Sequence, residues 1–277
     1  MSFIEAIILG LVQGLTEFLP ISSNAHLLLV SKLLFDGREP GATFTAITQL
    51  GTETAVIIFF WKDITRIIGR WFRSFRPAAG IAASDPDVRL GWLIIIGTVP
   101  IVVVGYLAQD FVRGPLRNLW LIAVVLIVFG LLLGLVDWLG RKAKPLEQLS
   151  YRDGVIIGLA QMLALIPGVS RSGASTSAGL ALGYTRPAAA RFSFLLAIPA
   201  VFGAGLYELV HSFSEPQNSY GYAETAVATI VAFGVGLAVI AFLMKYISTH
   251  SFLPFVVYRV LLGATLIALL SAGVLQA

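Results

Sequence analysis

The sequence predicts an all-α polytopic membrane protein with an inverted-topology repeat, each half a re-entrant helical hairpin followed by three transmembrane helices. Three observations predict it. Of 277 residues, 57% are hydrophobic and only 12% charged, with a mean hydropathy of +0.88, so charged side chains are too few to coat a soluble surface of this size. Six apolar runs, at about 43–61, 91–109, 119–139, 191–211, 223–246 and 254–275, reach the ~20 residues that cross a hydrocarbon core. Two further apolar runs are each broken by a proline beside polar residues, and the breaks resemble one another.

The first broken run, Phe3 to Phe35, is interrupted at Pro20-Ile21-Ser22-Ser23. Its arms of about 17 and 13 residues span only ~25 and ~20 Å at 1.5 Å per residue. The second, Arg152 to Gly183, breaks at Pro167 to Gly173 in the same way. Short arms around a polar tip form re-entrant hairpins, which persist where the tip is buried in protein or lines a wet cavity; two proline-kinked spans are the plainer alternative. A hairpin returns to the side it left, and three spans is an odd number. The second half therefore starts on the opposite face, and the two tips meet near the midplane, as in many transporters. The whole chain, 1–277, is then one integral-membrane domain, with repeats at about 1–140 and 150–277.

Basic residues orient this topology. Thirteen of the 19, from Lys62 to Lys245, collect on one side; Lys32, Arg38, Arg113 and Arg117 lie on the other, and Arg171 and Arg259 fall inside membrane segments. By the positive-inside rule the richer side is cytoplasmic, which places both termini outside. The longest loop, about 62–90, is basic and carries Trp71, Phe72 and Phe75, as an interfacial amphipathic segment on anionic lipid does. The net charge of +4 does not signal nucleic-acid binding, because its basic residues sit in short loops between apolar runs. No cysteine is present, which excludes disulfides, thiol chemistry and iron–sulfur ligation. No cleavable signal is expected, since the N-terminus lacks a basic n-region and already contains Glu5, Gln13 and Glu17.

The chemistry concentrates at the two tips. Gln13, Glu17, Ser22, Ser23, Asn24 and His26 fall within fourteen residues of an otherwise apolar sequence; polar groups persist there when they face a cavity. After each tip the chain restarts as a helix, with Ser22, Ser23 and Asn24, or Ser170 and Ser172, as N-cap candidates. Two inward-pointing helix N-termini, with Gly168 and Gly173 for close approach, make an anion pocket. Arg171 adds a bidentate guanidinium suited to phosphate oxygens. His26 lies one helical turn after Ser23, so the two side chains share a face within reach of contact, the material of an activated nucleophile or of a general acid. Gln13 and Glu17 also share a face, and Glu17 suits a divalent cation or a base. Ser175 and Ser177 serve equally as phosphate donors or as small residues for helix packing.

The run Gln13-Gly14-Leu15-Thr16-Glu17-Phe18-Leu19-Pro20-Ile21-Ser22-Ser23-x-x-His26, with the distant Pro167-Gly168-x-Ser170-Arg171-Ser172-Gly173-Ala174, resembles the bacterial undecaprenyl-diphosphate phosphatases linked to bacitracin resistance. The likeness covers nearly the whole chain, including Gln49-Leu50-Gly51 and Phe192-Ser193-Phe194-Leu195-Leu196. It implies hydrolysis of a C55 polyprenyl diphosphate to monophosphate and inorganic phosphate, recycling the lipid carrier for cell-wall synthesis. It implies a divalent cation, Mg or Ca, a site open to the outer face of the bacterial plasma membrane, and bacitracin competing for the substrate; a homodimer is the expected assembly. Carried over by motif, Glu17 is the metal-binding or basic carboxylate, Ser23 the nucleophile, His26 the acid/base or the competing nucleophile, and Ser22, Ser170, Arg171, Ser172 and Gly173 the phosphate clamp. Gln13 stands where a first glutamate is usual, and Asn24-Ala25 where Thr-Gly is usual. Glu53, about ten residues into the 43–61 run, is then expected to approach the Gln13/Glu17 face and restore the missing negative charge, helping to hold the cation or to balance Arg171. The rival reading is a transporter or flippase of a lipid phosphate, since inverted repeats are also transporter architecture.

Overall fold

The computed structural model describes residues 2–35, 40–109, 111, 116, 118–213 and 221–275. Arg38, Arg113 and Arg117 lie outside them. The described residues contain no strand and eleven α-helices: α1 Phe3–Thr16, α2 Ser23–Leu34, α3 Gly41–Phe59, α4 Trp61–Ser74, α5 Pro86–Leu107, α6 Leu119–Leu139, α7 Tyr151–Met162, α8 Arg171–Ala181, α9 Arg186–Ser212, α10 Tyr222–Tyr246 and α11 Leu253–Ser271. Six of them, α3, α5, α6, α9, α10 and α11, are long and apolar enough to cross a membrane, and they are the six apolar runs of the sequence.

Helix starts differ from the hydropathy limits where polar caps extend them. α5 begins at Pro86 because the Asp85 carboxylate accepts the N–H groups of Asp87 (2.9 Å) and Val88 (3.3 Å), while proline at the first turn gives up an N–H that no helix uses. α9 begins at Arg186 because the Thr185 hydroxyl accepts from the Ala188 N–H at 3.3 Å. The segment 62–90, expected as a loop, is mostly helix. Ile64, Ile67, Ile68 and Trp71 of α4 face α5 and α9 across an apolar groove. Arg66 and Arg70 pair with Asp63, Asp85 and Asp87, and the Arg70 guanidinium holds the Asp85 carboxyl below the usual carboxylate range.

The four short helices pack against spans distant in sequence. α1 lies on α10 and α7 on α5, and each contact is made through a Gly-x-x-x-Gly pair. A methyl group added at Gly10 would lie 2.5 Å from the Ala228 carbonyl oxygen, and one at Gly14 would lie 2.7 Å from Val235. On the other side a methyl at Gly154 would lie 2.7 Å from Leu93, and one at Gly158 would lie 2.6 Å from the Gly97 Cα. Around the two tips the core fills with Phe18, Phe60, Leu93, Ile157, Phe192, Phe194 and Phe252, all buried. A polar layer closes one end: Asp137 accepts from Arg186 Nε at 2.6 Å and from the Phe252 N–H at 2.9 Å, and the Tyr184 hydroxyl donates to Asp153 at 2.7 Å.

This packing predicts that Gly158→Ala lowers stability by about 1–3 kcal/mol, the usual cost of overpacking. Gly234→Ala, where nothing lies within 4 Å, should leave stability unchanged or slightly raised, because alanine is the better helix former. Thermal unfolding midpoints in detergent check the pair, and equal midpoints would remove the close-packing account.

Candidate active site

α1 ends at Thr16, and the chain turns through Glu17 to Ser22 before α2 starts at Ser23. Ser22 sits at φ 74°, ψ 93°, in the left-handed region that costs a residue other than glycine ~1–3 kcal/mol. The second tip repeats this. Ser170, immediately before α8, sits at φ 69°, ψ 118°. Gly168 precedes it at φ 97°, where a side chain would also meet the Ile122 carbonyl oxygen at 3.0 Å. The Ser170 hydroxyl caps α8 by accepting from the Gly173 N–H at 3.2 Å, and Ser172 Oγ stands 3.1 Å from Ser170 Oγ. No side chain caps α2, so its first-turn N–H groups stay available at the tip.

The tips meet through charge. Arg171 at the start of α8 donates to Glu17 Oε1, and Glu17 Oε2 accepts from Gln13 Nε2 at 2.7 Å and from Ser23 Oγ at 2.6 Å. Ser172 Oγ reaches the Leu19 carbonyl at 3.4 Å. Glu53 of α3 places Oε2 3.7 Å from Arg171 Nη2, so the structure does bring it to the Glu17 face. Both Glu53 oxygens are buried without a hydrogen-bond partner among the described residues, as is Gln13 Oε1.

The expected Ser23–His26 contact is not made. His26 Nδ1 lies 2.7 Å from the Ser22 carbonyl and must carry the proton, because a carbonyl only accepts. Its Nε2 lies 2.7 Å from the Tyr258 hydroxyl of α11, with the two rings stacked. One helical turn placed the two residues on the same face of α2, but the serine hydroxyl turns to the carboxylate and the imidazole to α11. Gly173 likewise spends its N–H on the cap, and contributes closeness instead.

Arg259 escaped the sequence reading except as a basic residue inside a span. Fully buried, it donates from Nε to Leu126 O (3.1 Å), from Nη1 to Pro20 O (2.9 Å) and Val169 O (3.1 Å), and from Nη2 to Gly168 O (2.8 Å). It joins both tips to α6. The available signal was the residue type itself, since an arginine deep in an apolar helix needs partners.

Glu17, Ser22, Ser23, Asn24, Ser170 and Arg171 form the polar end of a cavity of about 550 Å³. Its walls are largely apolar, built from Ile101, Val102 and Tyr106 of α5 and Ala200, Val201 and Ala204 of α9. His26 is not among the residues that line it. The shape accepts a molecule with an anionic head and an apolar tail. The family model of bacitracin resistance protein BacA matches residues 6–265. The chain belongs to this family. It is similar to the undecaprenyl-diphosphatase of Micrococcus luteus, 63% identical over 279 residues, and to that of Clavibacter michiganensis subsp. michiganensis, 61% identical over 277, with all of both chains covered in each case. The undecaprenyl-diphosphatase 2 of Agrobacterium fabrum is 55% identical over 277 residues, all of this chain and 99% of that one.

A divalent cation fits the donors. They are oxygens, the choice of hard ions such as Mg²⁺ or Ca²⁺, and the buried Gln13 Oε1 beside Glu17 lacks a partner. Among the described residues no group of three or more His, Cys, Asp or Glu side chains is placed to hold a metal ion.

Arg259→Met should destabilise the fold by about 2–4 kcal/mol from the stranded carbonyls, read as a lower unfolding midpoint in detergent, and phosphatase activity should fall with it. Arg259→Lys should recover only part, because an ammonium cannot serve acceptors spread across a planar fork. A wild-type midpoint in Arg259→Met would remove the staple.

Proposed function

We propose that the chain hydrolyses undecaprenyl diphosphate to undecaprenyl phosphate and inorganic phosphate. One observation carries this reading: a serine hydroxyl bonded to a carboxylate that is itself paired with an arginine from the opposite tip, at the end of an apolar cavity. A diphosphate arriving there competes for the Arg171 guanidinium, which prefers bidentate phosphate contacts. Released from Arg171, Glu17 accepts the proton of Ser23 Oγ. That oxygen attacks the terminal phosphorus, the bond to the lipid monophosphate breaks, and water then cleaves the serine phosphate. Arg171, Ser22 and the α2 and α8 N-termini stabilise charge on the phosphoryl oxygens, with Ser170, Ser172 and Gly173 holding the second tip in shape. His26, bonded on both nitrogens and set off the cavity, orients Ser22 against α11 and does not attack. Glu17 and Gln13 would hold a Mg²⁺ or Ca²⁺ ion, which would neutralise part of the diphosphate charge. A carrier has no use for the Ser23–Glu17 bond.

The same reading assigns the finer architecture. α1, α2, α7 and α8 have 14, 12, 12 and 11 residues, and at 1.5 Å per residue each falls short of a ~30 Å core. As re-entrant hairpins in one 1–277 domain, they belong to repeats of opposite topology. Matched left-handed serines, with Gln13 and Gln161 and also Gly10 and Gly158 at the same intervals before them, support this. The cavity lies at the C-terminal halves of α5 and α9, away from the arginine-rich α4 that precedes α5, which supports a site open to the outer face of the plasma membrane, with both termini outside. α4 rests on the inner surface. Bacitracin competes for the diphosphate outside the cell. A homodimer belongs to the same reading and is checked by light scattering in detergent.

Purified protein should release phosphate from undecaprenyl diphosphate, lose that activity to a chelator and regain it with Mg²⁺ or Ca²⁺. Ser23→Ala should cost at least ~100-fold, the scale of a lost nucleophile, and Arg171→Lys a comparable amount with folding retained. His26→Ala should cost less than Ser23→Ala; the reverse order would transfer the attack to the imidazole.

A further inference from the structure

Glu53 is an acid that the proposed chemistry does not use. Its side chain is 1% exposed, inside a helix that crosses the membrane, yet neither oxygen accepts a hydrogen bond among the described residues. With Glu17, Phe18, Arg171, Ser172 and Ser193 it lines a small gap behind the cavity. At 3.7 Å from Arg171 Nη2 it is too far to accept a hydrogen bond, and in its ionised form it is near enough to act on the guanidinium as a charge. Buried this deeply, that charge is little screened by salt. Glu17 is already engaged by Arg171, Gln13 and Ser23, so Glu53 is the carboxylate left to act on the guanidinium when Glu17 lets go.

We propose that Glu53 is a second counter-ion of Arg171 that weakens the site's hold on inorganic phosphate and so speeds release of that product. The proposal rests on the hydrolytic reading above. Phosphate carries more charge per oxygen than the diphosphate ester it came from and lacks a lipid tail to draw it away into the bilayer. A site made of an arginine and helix N-termini alone retains such an anion strongly. A fixed carboxylate on the far side of the same guanidinium offsets part of that attraction without touching the substrate, which makes Glu53 a positioning and charge-setting residue rather than a catalytic one.

The test uses the full chain in detergent with chelator present and inorganic phosphate as the probe, read by the phosphate dependence of the thermal unfolding midpoint. Glu53→Gln keeps the shape and removes the charge, and should bind phosphate roughly three- to tenfold more tightly, the scale of one charge interaction in a partly screened site. Glu53→Asp, its carboxylate drawn back by one methylene, should lie between Glu53→Gln and wild type. In turnover, Glu53→Gln should lower kcat without raising KM and make phosphate a stronger inhibitor. Unchanged or weaker phosphate binding in folded Glu53→Gln overturns the proposal, as does phosphate binding to neither wild type nor variant. If Glu53→Gln does not fold, the same comparison on Glu53→Asp decides. A wild-type protein that releases no phosphate from undecaprenyl diphosphate overturns the hydrolytic reading instead, and the binding comparison, which needs no turnover, still stands on its own.

Discussion

One guanidinium answers the problem set by two broken helices. Where the chain turns at Pro20 and again at Gly168 and Val169, carbonyl oxygens lose their helical donors among buried side chains. Arg259 is fully buried in an apolar span, and no carboxylate pairs with it among the described residues. Each side alone is unfavourable: insertion of a lone arginine costs at least ~2.5–3.5 kcal/mol and an orphaned carbonyl ~1–3 kcal/mol. Together they satisfy each other, with four bonds of 2.8 to 3.1 Å. The tips can then be irregular, which is what the chemistry requires of them.

Once the tips are fixed, their charges are arranged in series. Ser23 donates to Glu17 and Arg171 donates to Glu17 from the opposite tip, while Glu53 stands 3.7 Å from the same guanidinium as a second carboxylate, without a hydrogen bond. The strained serines before α2 and α8 aim this line at the cavity. Glycine pairs let the arms that lead to the tips lie against α10 and α5 with no room for a methyl group.

The spans were legible in the sequence because hydropathy over twenty residues is a bulk property, blind to local detail. The breaks were legible because proline and serine are out of place in hydrocarbon. Arg171 and Glu53 announced themselves in the same way, as charges where charge is costly. What periodicity could not supply was direction. Ser23 and His26 share a helix face, yet the Tyr258 hydroxyl, 232 residues along the chain, takes the imidazole. α4 did not show as a helix because its charged face depresses hydropathy across a segment whose apolar face, with Ile67 buried, lines a groove against α5 and α9. Arg259 was visible, but its partners are backbone carbonyls, which every residue carries and no sequence marks.

The bond between Arg259 and Pro20 joins residues 239 positions apart. Synthesis proceeds from the N-terminus, so the first tip enters the bilayer long before the helix that satisfies it has been made. Until α11 arrives, the carbonyls of both tips must find other partners or remain at the interface. The tips and α11 therefore come together only after α11 has been made.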